Sequence, residues 1–258
     1  MHFNFPLILV ILTVVSGLIW LIDMLFFARR RKAEAKKMPV LIDYARSFFP
    51  ILLVVLIIRS FIIQPFRVPT GSLEPTILPN EFVLVNQFAY GLRLPAINTK
   101  VFNVGEPKKG DIVVFRFPPN PKVDFIKRVV GTPGDHVVYK NKVLYINGKE
   151  MKQTYTKDGV DIEPEGNIPV QVKEENLSGV KHDIILRKDD DGSVGTEVDV
   201  VVPKKMYFMM GDNRDGSADS RYWGFVPEAN LDGKGFFIWL SWDSSKHRIR
   251  WNRVGTKI

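Results

Sequence analysis

The sequence predicts a mainly β protein: a folded-over β-barrel or sandwich core, a β-hairpin-rich subdomain inserted into it, and two transmembrane helices ahead of both. Three observations carry this. Two long apolar runs stand early in the 258 residues. Beyond Phe66 the chain breaks into short alternating runs punctuated by Pro, Gly, Asn and Asp. No segment there sustains a 3.6-residue apolar period, which an amphipathic helix requires.

The first run, FPLILVILTVVSGLIWLIDMLFF from Phe5 to Phe27, carries one charge, Asp23. Its 23 residues exceed the ~20 that span a hydrocarbon core. A cleaved secretion signal has a basic leader and an apolar stretch of about 7–15 residues. Here no Lys or Arg precedes the run, so a lasting anchor is expected. The second run, Phe48 to Phe66, carries only Arg59. For both, the alternative is a buried core helix. Between them, in residues 28–47, Arg29, Arg30, Arg31, Lys32, Lys36, Lys37 and Arg46 face only Glu34 and Asp43. Short loops rich in Lys and Arg stay cytoplasmic. Residues 1–66 are therefore expected to cross the membrane twice, leaving both ends of the chain on the other side, outside the inner membrane.

That topology signal also accounts for the charge. Residues 1–66 hold eight Lys/Arg and three Asp/Glu, which is +5 of the total +8. Nucleic-acid binding is accordingly not expected. The chain has no cysteine, which removes disulfides, zinc–thiolate sites and Cys nucleophiles together.

Strands are expected in EFVLVNQFAY, DIVVFRF, DFIKRVV, HVVYKNKVLYING, VDVVVP, MYFMMGDN and FFIWLSW. Residues 67–135 and 204–258 form the core. Residues 136–203, with turn candidates Asn147-Gly148 and Asp191-Gly192 and few large apolar side chains, read as the insert, with little chemistry of its own. A calcium loop needs oxygen ligands at alternate positions around a Gly. Aligning on Gly192 puts Arg187 first and Val198 last, and aligning on Gly216 puts Gly211 first. Both fail, and no metal site is expected.

Three segments could carry chemistry. In VPTGSLEPTILPNEFVLVNQFAYG, Ser72 lies between Gly71 and Leu73, with Pro69 and Pro75 restricting the chain. That suits an exposed nucleophile, and it equally suits a plain Pro/Gly turn leaving the membrane. Ser72 is six residues past Phe66, so an extended chain carries it only ~20 Å from there. A serine nucleophile needs a base. None of His2, His136, His182 and His247 sits in a motif-like setting, and no G-x-S-x-G elbow is present.

Lys127, in VDFIKRVVGTPGD, is the better base. On a strand it shares a face with Phe125 and Val129, while Arg128 points away. Apolar neighbours disfavour its ammonium form. To act near neutrality its pKa has to fall from ~10.4 toward 7, a cost of about 4 kcal/mol. The alternative is a strand lysine with its head in water. The third segment, MYFMMGDNRDGSADSRYWGFVP, runs from an apolar strand into a loop holding Asp212, Asn213, Arg214, Asp215, Ser217, Asp219, Ser220 and Arg221. It reads as a solvated turn, or as the source of a hydroxyl and an ion pair for a site.

Together, in this order and after two crossings, the segments resemble bacterial type I signal peptidase (leader peptidase) in its two-anchor Gram-negative form. The likeness covers the anchors, Phe66–Asp135 and Met206–Pro227, and is weak in the insert. It implies a membrane-bound serine endopeptidase with a mostly β core and a Ser–Lys dyad, without metal or cofactor. Matching P-[ST]-G-S-x-x-P-T makes Ser72 the nucleophile, and matching [YF]-I-K-R-x-V-G makes Lys127 the general base. The lysine-bonding loop serine falls on Ser217, and the supporting ion pair on Asp219 and Arg221. The oxyanion donors are the Ser72 N–H and the Thr70 hydroxyl.

The resemblance further implies substrates that are signal peptides of secretory preproteins, with small residues at the first and third positions before the cut. Their pockets fall on Phe66, Val68, Ile77, Val114, Phe125 and Ile126, each of which also suits ordinary core. Two positions depart from the family pattern: Leu73 stands where Met is usual, and Thr70 where Ser is commoner. A membrane-facing surface is a separate expectation. Trp239, Trp242 and Trp251 lie among late strands, with Lys246, Arg248, Arg250, Arg253 and Lys257 but no acid after Asp243. Core packing explains the tryptophans equally well. The other readings are a non-catalytic tethered β domain that binds exported chains, and a self-cleaving Ser–Lys protease like the SOS repressors. The second needs a DNA-binding segment, and the sequence offers none.

Overall fold

A computed structural model describes residues 5–33, 37–93, 100–102, 104–163, 166–188 and 197–258. His2 and the predicted Asp191-Gly192 turn lie outside the described residues. By contacts the chain forms two units: the described parts of Met1–Gln64 with Gly91–Asn103, and those of Pro65–Tyr90 with Val104–Ile258.

In the first unit, α1 (Phe5–Ile22) passes through a π-helical turn, Asp23–Phe27, into α2 (Ala28–Ala33). Helix α3 (Val40–Ile57) ends in a second π-helical turn, Ile58–Ile62. Among the described residues, two helical stretches are long and apolar enough to cross a membrane, Leu7–Arg31 and Val40–Ile57. Gly17 of α1 lets the Phe49 ring of α3 come close, since a Cβ there would lie 2.6 Å from a ring carbon. The Thr13 and Ser16 hydroxyls donate to the Leu9 and Leu12 carbonyls at 2.7 Å, so they spend their polarity within their own helix.

The second helix differs from its sequence expectation at both ends. It starts at Val40 rather than Phe48, after extended Pro39 (φ −61°, ψ 140°) and with Asp43 in its first turn, where an acid favours the helix. It stops before Phe66, because Pro65 lacks an N–H and drives Gln64 into extended backbone. Strand β1 (Ile63–Val68) begins there.

The remaining strands follow in chain order. They are β2 (Glu81–Asn86), β3 (Leu92–Arg93), β4 (Lys100–Phe102), β5 (Ile112–Arg116) and β6 (Asp124–Gly131). Next come β7 (His136–Lys140), β8 (Val143–Ile146), β9 (Lys149–Glu150), β10 (Gln153–Glu163), β11 (Gly166–Leu177) and β12 (Val180–Arg187). The last are β13 (Val198–Val201), β14 (Met206–Met210), β15 (Val226–Pro227), β16 (Leu231–Asp243) and β17 (Arg248–Ile249), with one short helix, α4 (Ser220–Trp223), before β15. The principal sheet runs β1-β2-β16-β5-β6-β14-β15, with β17 on β16. The fold is mainly β, as the alternating runs predict.

Period-2 alternation sorts the central strands onto two buried faces. Ile112, Val114 and Ile126 join Val68, Leu73, Ile77, Val83, Val85 and Ile238 on one. Val113, Phe115 and Val129 join Tyr207 and Met209 on the other. Residues 136–203 contribute two sheets, β13-β7-β8-β9 and the meander β10-β11-β12. The first shares an apolar cluster with Val130, Phe208 and Met210 of the principal sheet. Its β8–β9 turn is Asn147-Gly148 with φ of 52° and 75°, the left-handed pair that hairpin turns need.

Candidate active site

After β1 the chain turns sharply, with Glu74 N bonded to Gly71 O at 3.0 Å and Ile77 N to Leu73 O at 2.9 Å. Leu73 and Ile77 plug into the apolar cluster and are fully buried. The turn is thereby nailed to the core, and Ser72 is held between buried Val68 on one side and buried Leu73 on the other. Its Oγ is hydrogen-bonded to the Lys127 amine and accepts from Thr70 Oγ1 at 3.4 Å.

Lys127 stands on β6, flanked by β5 and β14. Both partners are interior, Ser72 at 5% and Lys127 at 4% exposure. The Lys127 Nζ lies 5.7 Å from the Phe125 ring centre. Burial lowers its pKa to about 8, with Arg221 pushing the same way and Asp219 and Asp212 opposing. An amine so placed is half free of its proton near pH 8 and keeps a free-base fraction at neutrality far above that of an ordinary lysine.

The loop after β14 surrounds this pair. Asp219 and Arg221 form a bidentate ion pair at 2.8 Å on each arm, with both side chains fully buried. Asp219 also accepts from Gly211 N at 3.0 Å and caps α4. Gly211 packs so tightly on the Ser72 carbonyl and the Ser217 Oγ that a Cβ has no space. Ser217 is buried but its hydroxyl makes no hydrogen bond, so the bond to Lys127 expected from the sequence is not formed.

The expected pocket residues divide. Val68, Ile77, Val114 and Ile126 share one buried cluster, with Phe66 packed at its edge. Phe125 belongs to the opposite face of the sheet, beside Phe115 and Trp223, because it is one strand position from Ile126. It stays with Lys127, two positions on.

Sequence reasoning missed a further set of residues. Arg128 donates to Asp212 from Nε at 2.7 Å and Nη2 at 2.6 Å, and Asp212 also accepts from Thr76 Oγ1 at 2.6 Å. Burial works against the Asp212 carboxylate, yet Arg128 holds it below its ordinary pKa. The insert supplies buried charge as well. Asp161 accepts from Asn213 at 3.0 Å, and Glu175 pairs with Arg214. His182 lies 3.6 Å from Glu175 and 3.8 Å from Asp212, with burial lowering its pKa to about 4. Residues 136–203 thus carry more of the site's electrostatics than their polar sequence suggests. Among the described residues no group of three or more His, Asp or Glu is arranged to hold a metal ion.

A serine hydroxyl hydrogen-bonded to a buried amine, on a β core that follows two apolar helices, fits the class of membrane-bound serine hydrolases. The family model for signal peptidase, peptidase S26, matches residues 41–242. Signal peptidase I of Pseudomonas fluorescens is 42% identical, with 99% of each chain covered. Signal peptidase I of Pseudomonas aeruginosa is 41% identical, again with 99% of each chain covered. Signal peptidase I of Aquifex aeolicus is 37% identical, over 76% of this chain and 82% of its own. The chain belongs to the peptidase S26 signal peptidase family, and is a membrane-bound serine endopeptidase.

Proposed function

We propose that this endopeptidase removes signal peptides from secretory preproteins, with Ser72 as nucleophile and Lys127 as general base. The observation that carries the assignment is the buried hydrogen bond between their side-chain tips. The Lys127 amine takes the Ser72 proton as Oγ attacks the scissile carbonyl. The resulting ammonium then protonates the leaving amine, and the same amine afterwards activates the water that releases the acyl group. The Ser72 N–H and the Thr70 hydroxyl serve as oxyanion donors. Asp219 and Arg221 brace the loop. Ser217, whose buried hydroxyl has its hydrogen-bonding capacity unspent, orients Lys127 once Ser72 is acylated.

Residues 1–66 serve as a two-pass anchor in the inner membrane, with the basic segment cytoplasmic and the β core periplasmic. Residues 67–135 with 204–258 are the catalytic core, and 136–203 the insert. Phe66, Val68, Ile77, Val114 and Ile126 make the apolar wall that meets small substrate residues, and Phe125 shields the amine. Lipid contact falls to Trp239, Trp242 and Trp251, which are 43%, 37% and 73% exposed and so are not core, beside exposed Lys246 and Arg248. Tryptophan and basic side chains favour such a surface.

The test uses the full chain in detergent with a preprotein bearing small residues before its cut. Ser72→Ala and Lys127→Met should each cut cleavage by at least about a thousandfold while the protein stays folded. Substantial cleavage by either variant removes the dyad assignment.

A further inference from the structure

The loop from Gly211 to Ser217 faces two ways. Toward Ser72 it uses backbone: Asn213 N donates to the Ser72 carbonyl at 3.2 Å, and Gly211 lies directly against the same oxygen. Toward Lys127 it uses Asp212, which fixes the neighbouring Arg128. On its other side the loop is held by the insert. Ile185 N of β12 donates to the Asp212 carbonyl at 2.9 Å, and Arg214 N donates to the Ile185 carbonyl at 3.0 Å. Asn213 Nδ2 reaches Asp161 on β10 at 3.0 Å. The Arg214 guanidinium takes both oxygens of Glu175 on β11, through Nη1 at 2.8 Å and through Nη2. Those two side chains are 1% and 0% exposed.

We propose that Glu175 is a positioning residue for peptide-bond hydrolysis: it fixes, through Arg214, the loop that sets the Ser72 carbonyl and the Arg128–Asp212 pair. The assignment rests on the Ser72–Lys127 reading above. A buried ion pair adds little net stability over an apolar replacement, but it selects one arrangement, and breaking it leaves an uncompensated charge. Arg214 adjoins Asn213 and is two residues from Asp212. Any shift of its guanidinium therefore reaches both members of the dyad, one through the Ser72 carbonyl and the other through Arg128. The groups facing Glu175 besides Arg214 include His182 at 3.6 Å, Gln153 at 3.3 Å and the buried Tyr139, and none of them supplies a second fixed cation, since His182 is held neutral.

The test compares the full-length chain in detergent with Glu175→Gln, with the pair Glu175→Met and Arg214→Met, and with Ser72→Ala. Thermal midpoint, kcat, KM and the pH profile are measured on one preprotein. For Glu175→Gln, kcat is expected to fall about 30- to 100-fold with KM within about threefold, the scale of a small misplacement of reacting groups. The acid limb of the profile should move to higher pH as water reaches the Lys127 amine. A folded variant with a lower thermal midpoint but wild-type kcat and an unmoved limb overturns the proposal. Should Glu175→Gln fail to fold, the paired Met variant decides, because it removes both charges together. A reduced kcat with a moved limb supports the positioning role, and wild-type values for both overturn it. Cleavage by Ser72→Ala is a separate result, and counts against the dyad rather than against Glu175.

Discussion

The Lys127 amine and the Ser72 hydroxyl meet in the interior of the β core, with 4% and 5% of their residues' surfaces exposed. Several testable outcomes depend on that burial.

The first concerns pH. With the Lys127 pKa lowered to about 8 by burial, the proposed base is mostly protonated at pH 6. kcat/KM should climb about tenfold per pH unit toward pH 7, bend near 8 and level off above it. A bend near 6.5, where an ordinary histidine titrates, would contradict a lysine base. The same burial has a thermodynamic sign. The folded chain binds fewer protons than the unfolded one between about 8 and the ordinary 10.5, so this contribution to stability grows with rising pH across that window. It is lost as pH falls through 8. Protonating the amine in the fold costs about 3 kcal/mol, so Lys127→Met should raise the thermal midpoint at pH 7 by several degrees. A lower midpoint would show that the amine is not strained by its surroundings.

Asp219→Asn should act on both stability and titration. Arg221 would be left as a buried, uncompensated cation, a loss of about 3–5 kcal/mol and about 10 °C in thermal midpoint. Asp219 is the strongest influence holding the Lys127 pKa up, so the acid limb should move below 8. This is opposite in direction to the shift expected of Glu175→Gln. A limb that stays in place would mean that Asp219 does not act on the amine electrostatically.

Gly211→Ala tests the tight approach of the loop to Ser72. The added methyl group meets the Ser72 carbonyl and the Ser217 hydroxyl, and neither can yield without moving the turn. A folded protein with kcat down about 100-fold is expected. Wild-type turnover would show that the Ser72 carbonyl is free to shift.

Thr70→Val probes the oxyanion site. It keeps the shape of the side chain and removes its donor, so kcat should drop about 10²- to 10³-fold with little change in KM. Thr70→Ser should stay within a few-fold of wild type. Equal activity for Val and Ser would take Thr70 out of the reaction.

The pairing of Ser72 with Lys127 was legible only from the three segments together: Gly71 with its flanking prolines, and apolar neighbours at strand spacing, each equally suit an ordinary turn and a solvated strand lysine, and the family resemblance joined them. The β class followed from alternating runs such as DIVVFRF. Other features left no local mark. Strands β10 and β11 are polar on their outer faces, and QTYTKDGVDIE lacks the apolar alternation that announces a strand. Glu175 reads as one more surface acid among Lys173, Glu174 and Asn176. Only its pairing with Arg214, 39 residues later, turns it into a buried charge. The pocket assignment split for a different reason: a family pattern names positions without saying which side of the pleat each occupies, so Phe125 and Ile126 fell into one group.

Among the described residues, the Ser72 oxygen takes its side-chain hydrogen bonds from Lys127 and Thr70, with no imidazole among them. With Lys127 as the proposed base, reagents that silence serine hydrolases by alkylating the ring nitrogen of a histidine base should leave cleavage intact. A free-base primary amine condenses with aldehydes and accepts acyl groups instead. The susceptibility of this enzyme to covalent probes should therefore follow carbonyl chemistry rather than imidazole alkylation.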